Sequence, residues 1–147
     1  MNQKKKILIV EDELKFAEMV KNRLELEGFD VTISMDTYSQ SVDAVSSTRE
    51  ALRGDHDLII LDLMMPAGGG FELLKTIRNY VTKRNTPVII LTGKILDQEI
   101  IDKANKYKVS AIFNKPYEPK KFVKKIQEIL DPQNIKRDVS QLKETQE

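Results

Sequence analysis

Hydrophobic residues in this chain fall into short unbroken runs, separated by longer stretches with helical spacing. Four runs stand out: "ILIV" (Ile7–Val10), "LIIL" (Leu58–Leu61), "VIIL" (Val88–Leu91) and "AIF" (Ala111–Phe113). They are rich in β-branched residues or leucine. Apolarity without alternation over about four residues predicts strands covered on both faces, as in a parallel sheet. "VTI" (Val31–Ile33) alternates more and predicts an edge strand.

The intervening stretches repeat at helical spacing. Leu14, Ala17, Val20 and Leu24 form one stripe, stopped by Gly28. Val42, Val45 and Leu52 mark a second helix ended by Gly54. Phe71, Leu74, Ile77 and Val81 mark a third, and Ile100, Ala104 and Tyr107 a fourth. Phe122, Ile126, Ile129 and Leu130 mark a fifth, with Pro119 in its first turn. Strands and helices alternate five times. With right-handed crossovers this predicts an α/β fold: an open, doubly wound, five-stranded parallel sheet with helices on both faces. In such sheets ligands sit at the carboxyl ends of the strands. For the order 2-1-3-4-5 the switch point lies between strands one and three.

Composition narrows the class. The chain has 147 residues, suited to one domain, here residues 1–130. Residues 131–147, "DPQNIKRDVSQLKETQE", are mostly polar and are expected to be a frayed tail or one weak helix. No apolar run approaches the roughly 20 residues of a membrane span. The absence of cysteine excludes disulfides and thiolate chemistry, and fits a cytoplasmic location. Lys plus Arg total 24 and Asp plus Glu total 23, so global charge steers no partner. Lys120, Lys121, Lys124 and Lys125 cluster on the fifth helix, as a solvated face or a surface for an acidic partner. Direct nucleic-acid binding is not expected. His56, the single histidine, is expected to be a solvated surface residue.

The candidate chemistry lies at the strand ends. The first strand runs into Glu11, Asp12 and Glu13, the third into Asp62, the fourth into Thr92 and the fifth into Lys115. Carboxylates crowded together repel, and a cation relieves them. Oxygen ligands without His or Cys point to a hard ion. Mg2+, or Mn2+ in its place, fits, since Mg2+ needs only one or two carboxylates plus water and phosphate oxygens. Glu13 reads instead as an acid opening the first helix. Asp62 is a candidate nucleophile towards phosphorus, and Lys115 a second positive charge beside it. The Thr92 hydroxyl can donate to a phosphoryl oxygen. The Lys115–Pro116 bond is a candidate cis peptide, aiming the lysine into the cleft.

With "ILIVEDE", "LIILDLMMP" followed by a glycine and "FELL", "PVIILTGK" and "NKPY", the chain from Lys5 to Leu130 resembles the receiver domain of two-component response regulators. The resemblance implies a flavodoxin-like (βα)5 fold. It implies that Asp62 accepts phosphate from a histidine kinase or phosphotransfer protein. It also implies that the chain catalyses only its own phosphorylation and dephosphorylation, and is no enzyme towards a separate substrate. Mg2+ would be bound by the side chains of Asp12 and Asp62, by the backbone carbonyl of Met64, and by Glu11 through water. Lys115 and Thr92 would contact the phosphoryl group. Thr92 would then move inward, remodelling the face of the fourth helix, fifth strand and fifth helix. The kinase would dock near Lys15, Phe16 and the Pro116–Tyr117 loop.

Four features depart from the family pattern. The switch position three residues before the lysine, usually aromatic, is Ile112. Phe113 beside it points to the opposite face. Gly93 follows Thr92 where alanine is commoner, leaving room for the phosphoryl group. Gly68–Gly70 reads as plain turn geometry, or as a pliable lid. The segment from Ile33 to Leu58 is long and predicts an extended second helix, "SQSVDAVSSTREALRG". The leading function is a single-domain, chemotaxis-regulator-like switch whose output is contact with another protein. The alternatives are a receiver excised from a larger regulator or hybrid kinase, a receiver that never takes phosphate, and a flavin- or nucleotide-binding enzyme. The last needs a glycine- or hydroxyl-rich phosphate loop after strand one, where this chain has "VEDEL".

Overall fold

A computed structural model describes residues 3–34, 51–52, 54–64, 69–80 and 82–131. Among the described residues the elements are β1 (Lys6–Val10), α1 (Leu14–Leu26), β2 (Asp30–Ser34), β3 (Leu58–Leu61), α2 (Gly69–Asn79), β4 (Val88–Thr92), α3 (Gln98–Lys106), β5 (Ala111–Asn114) and α4 (Pro119–Leu130). All five strands are parallel, in the order β2-β1-β3-β4-β5. Most of the second predicted helix, Val81, Gly68 and residues 132–147 lie outside the described residues. Ala51 and Leu52, at the end of that predicted helix, are helical.

Successive strand residues point to opposite faces, and both faces are covered. On one face Ile7, Ile9, Leu58, Ile60, Ile89 and Leu91 pack against Ala17, Val20 and Leu24 of α1 and Phe122 and Ile126 of α4. On the other, Leu8, Val10, Ile59, Leu61 and Val88 pack against Leu73, Leu74 and Ile77 of α2 and against Ala51. Each such side chain removed from water contributes roughly 1.5–3 kcal/mol. That burial explains why β1, β3 and β4 show no polar alternation.

Local chemistry sets the helix ends. Gly28 at φ +96° stops α1, where a side chain would be strained. The Asp97 carboxylate accepts from the Ile100 N–H at 2.9 Å and caps α3. Pro119 opens α4, where its missing N–H costs nothing.

Three expectations are corrected. Leu14 is 45% exposed, so the buried stripe of α1 begins at Ala17. β5 takes the edge position that the order 2-1-3-4-5 implies, but its apolar residues are only half-buried rather than covered on both faces. His56 is half-buried rather than solvated. It lines a pocket with Lys6, Asp30, Thr32 and Asp55 at the amino ends of the strands, the edge opposite Glu11, Asp12 and Asp62. Among the described residues, no helix is long and apolar enough to cross a membrane.

Candidate functional site: an acidic cleft with a lysine

The register of the sheet aligns the strand exits. Val10 pairs with Leu61, and the Asp62 N–H donates to the Val10 carbonyl at 3.2 Å. This places Glu11, Asp12 and Asp62 side by side at the carboxyl edge. One side-chain oxygen from each lies within 4.8 Å of the others. Glu11 and Asp62 are buried, and Asp12 is half-buried. Lys115 enters from β5, where its N–H donates to the Thr92 carbonyl at 2.9 Å. The Lys115–Pro116 peptide is cis.

The Lys115 ammonium bridges two carboxylates. Its Nζ donates to Glu11 Oε2 at 2.9 Å and to Asp62 Oδ2 at 3.2 Å. The sequence analysis puts Lys115 beside Asp62, but Glu11 is the nearer partner. The other Asp62 oxygen, Oδ1, accepts from the Met64 N–H at 2.9 Å. The Met64 side chain is exposed at the rim. Glu11 Oε1 accepts from the Glu13 N–H at 3.2 Å. Glu13 occupies the N-cap position of α1 without a side-chain capping bond.

Electrostatics reflect the crowding. Burial pushes the Glu11 carboxyl up to about 7, against the pull of the Lys115 hydrogen bond and with help from neighbouring Asp62. Burial alone would lower the Lys115 ammonium, but Glu11 and Asp62 outweigh it and raise its pKa. One ammonium therefore only partly compensates three carboxylates. The donor set is all oxygen, close together, and fits a small hard divalent cation.

Thr92 is fully buried at the end of β4, and its hydroxyl accepts from the Lys94 N–H at 3.1 Å. Asn114, not singled out from the sequence, donates through Nδ2 to the carbonyls of Lys94 (3.0 Å) and Thr92 (3.3 Å). It ties the loop carrying Thr92 to β5. Its signal was a polar amide leaving an apolar strand beside Lys115. Ile112 pairs with Ile90 and is half-buried. Phe113 packs on the α1/α4 side, its ring 5.2 Å from Phe122 at 87°. Alternation leaves Ile112 on the other face, as expected.

The glycines divide. A Cβ on Gly93 would meet only Met64 Sδ, at 3.9 Å, so the loop has room. A Cβ on Gly70 would lie 2.7 Å from Leu63 Cα and 2.8 Å from the Asp62 carbonyl oxygen. Gly70 is therefore a close-approach glycine in the first turn of α2, not merely a turn former. Phe16, expected at the kinase contact, has its ring under Lys115: Nζ lies 4.1 Å from the centroid. The expected lysine face of α4 is partly paired, with Lys121 to Glu118 at 3.3 Å and Lys125 to Glu128 at 4.0 Å.

A family model described as "Response regulator receiver domain" matches residues 7–127. Among curated proteins, the chain is 35% identical over 130 residues to the "Uncharacterized transcriptional regulatory protein YkoG" of Bacillus subtilis, covering 87% of this chain and 52% of that one. It is 33% identical over 127 residues to a "Transcriptional regulatory protein CpxR homolog" of Haemophilus influenzae, covering 85% and 50%. The chain thus spans about half the length of these curated relatives. Among solved structures, a CheY-like response regulator receiver domain protein from Methanospirillum hungatei JF-1 superposes with a TM-score of 0.77 at 26% identity, covering 91% of this chain and 99% of that one.

Proposed function

The chain belongs to the response regulator receiver domain family, and from that premise we propose that its cleft is a phosphoryl-acceptor site with Asp62 as the acceptor. The observation that carries the proposal is the Lys115 bridge. Residues 104 and 53 positions away in sequence converge on one ammonium at the carboxyl edge of the sheet.

The phosphodonor is a phosphohistidine on a histidine kinase or phosphotransfer protein. An Asp62 carboxylate oxygen attacks phosphorus. The P–O bond forms as the P–N bond breaks, and the imidazole leaves with the electron pair and takes up a proton from water. The product is an aspartyl phosphate. A carboxylate has lone pairs enough to attack while its two oxygens are oriented by Met64 N–H and Lys115 Nζ. Lys115 shifts its hydrogen bond from Asp62 to a phosphoryl oxygen. Thr92 gives up its bond from Lys94 N–H and donates its hydroxyl to another. Glu11, Asp12, Asp62 and the Met64 carbonyl would hold Mg2+, or Mn2+ in its place. When bound, the ion neutralises the charge on the phosphoryl oxygens.

Phosphorylation adds nearly two negative charges. The charge-dependent element is the loop after β4, held by Thr92, Lys94 and Asn114. Moving Thr92 disturbs that loop, and with it α3, β5 and α4, the face that would signal. With Ile112 at the usual aromatic position, readout does not run through an aromatic rotamer there. A second reading concerns output. The curated relatives are named as transcriptional regulators and are about twice the matched length. A receiver unit acting on an attached domain is therefore the alternative to contact with a separate protein. The mass of the native gene product decides between them. The cleft reading predicts that acetyl phosphate with Mg2+ adds one phosphate to wild type by intact mass, and none to Asp62→Asn. Equal uptake by the two proteins would overturn the assignment.

A further inference from the structure

The Lys115 ammonium has three N–H donors. Glu11 Oε2 and Asp62 Oδ2 take two of them. On a third side lies an aromatic face, the Phe16 ring, with Nζ 4.1 Å from its centroid. Phe16 sits half-buried in the first turn of α1. Tyr117 meets its ring edge-on at 6.0 Å and 89°, and Tyr117 is backed at 4.8 Å by Phe122, which is fully buried. The ring under the ammonium is thus anchored to the core through two further aromatic contacts.

We propose that Phe16 is a positioning residue for phosphoryl transfer: its ring face keeps the Lys115 ammonium in the cleft while the carboxylate partners of that ammonium change. The inference rests on Asp62 being the phosphoryl acceptor. During transfer one Asp62 oxygen becomes bonded to phosphorus, and a bound Mg2+ would compete with Lys115 for Glu11. Both hydrogen bonds that now hold Nζ are then lost or weakened. A lysine head is compact, strongly hydrated and carried on a flexible stem, so water competes for it at that moment. An aromatic quadrupole is not consumed by the reaction and attracts the cation before and after it. An aliphatic side chain of similar bulk could fill the space but would not attract the charge.

The test separates attraction from packing. Phe16 is replaced by phenylalanines carrying one, two, three and five ring fluorines, which weaken the quadrupole in steps with little change of shape. Phe16→Leu and Phe16→Trp bracket the series. The rate of phosphorylation by acetyl phosphate with Mg2+ is followed by intact mass, and folding by thermal melting. The expected result is a stepwise fall in rate with fluorination, a loss of about 3- to 30-fold in Phe16→Leu, and recovery in Phe16→Trp. In wild type, the Lys115 ε-methylene resonances should stay shifted upfield by the ring current when beryllofluoride and Mg2+ are added. A flat rate across the fluorinated series, or ε-methylene shifts that move to free-lysine values with beryllofluoride, overturns the inference. If Phe16→Leu fails to fold, the fluorinated series alone decides. Failure of the acceptor reading looks different, because wild type and Asp62→Asn then take up phosphate equally or not at all.

Discussion

Glu11 is 2% exposed and lies between an ammonium and a second carboxylate. Its carboxyl is pushed from 4.5 up to about 7, chiefly by burial. Between those values the unfolded chain has already released this proton while the folded protein still holds it. The folded state binds more protons, so stability falls as pH rises through that window and levels off above it. Lys115, with a raised pKa, contributes nothing to this slope, because its effect is lost only above the ordinary lysine range. Urea unfolding in EDTA should show wild type losing up to about 3 kcal/mol across the window. Glu11→Gln should abolish most of that loss, and an unchanged slope in the variant would assign it elsewhere. Gly70 carries a steric prediction. Gly70→Ala drives a Cβ into the backbone of Asp62 and Leu63, so a cost of about 1–3 kcal/mol is expected despite the better helix propensity of alanine. Beryllofluoride should also bind it more weakly, because the displaced backbone carries Asp62, the proposed acceptor. Gly93→Ala, facing only Met64 Sδ at 3.9 Å, should leave thermal stability unchanged. At this scale Asp12, Asp62, Thr92 and Lys115 were legible because each leaves an apolar strand at the edge where ligands bind. The nearness of Glu11 to Lys115, the grip of Asn114 on the β4 loop and the ring of Phe16 were not. Those depend on which way side chains turn after the strand ends, and strand periodicity stops there.

At the scale of elements, β1, β3 and β4 were legible to within a residue because burial on both faces leaves an unbroken apolar signature. The same rule misjudged β5, since an apolar run cannot tell a central strand from an edge strand whose one face is only partly covered. Invisible in the pattern was the joint at the amino edge of β4. Arg78, at the end of α2, donates through Nε to the Tyr107 carbonyl at 2.7 Å and through Nη1 to the Thr86 carbonyl at 2.7 Å. Further contacts reach the carbonyls of Arg84 and Lys108, both at 3.3 Å. One guanidinium thus ties α2 to the turn before β4 and to the end of α3. Lys108, with φ 55°, adopts the left-handed conformation that ends α3. Its segment is held by this clamp together with the Val109 N–H to Ala104 carbonyl bond at 2.9 Å. Arg78→Met keeps the stem and removes the donors. It should cost about 2–4 kcal/mol, as expected for charged hydrogen bonds to partly buried carbonyls. Amide exchange should quicken at residues 107–110 ahead of the β1 and β3 core. Uniform acceleration throughout would mean that Arg78 supports the whole domain rather than this joint.

The whole molecule places one lysine and a cluster of carboxylates at the seam where three strands end, so the ammonium already holds charges that a metal ion there would need. Lys115 holds Glu11 and Asp62 at 2.9 and 3.2 Å, and both carboxylates belong to the group able to surround a cation with Asp12. A positive charge already present therefore opposes the arrival of another. In the metal-free protein, Lys115→Met removes the partner of two buried carboxylates and should lower the melting temperature, because breaking such a pair leaves uncompensated charge. With Mg2+ the order of effects should invert. The ion no longer meets an ammonium a few ångströms away, a repulsion of a few kcal/mol at an effective dielectric near 20. Mg2+ should then bind the variant roughly tenfold or more tightly, with a larger rise in melting temperature at equal Mg2+. Asp12→Asn, which subtracts a ligand, should shrink that rise instead. Thermal melting of the three proteins across a Mg2+ series measures all of this without any phosphodonor. A Lys115→Met protein that gains no more from Mg2+ than wild type would show that the lysine and the ion do not share this seam.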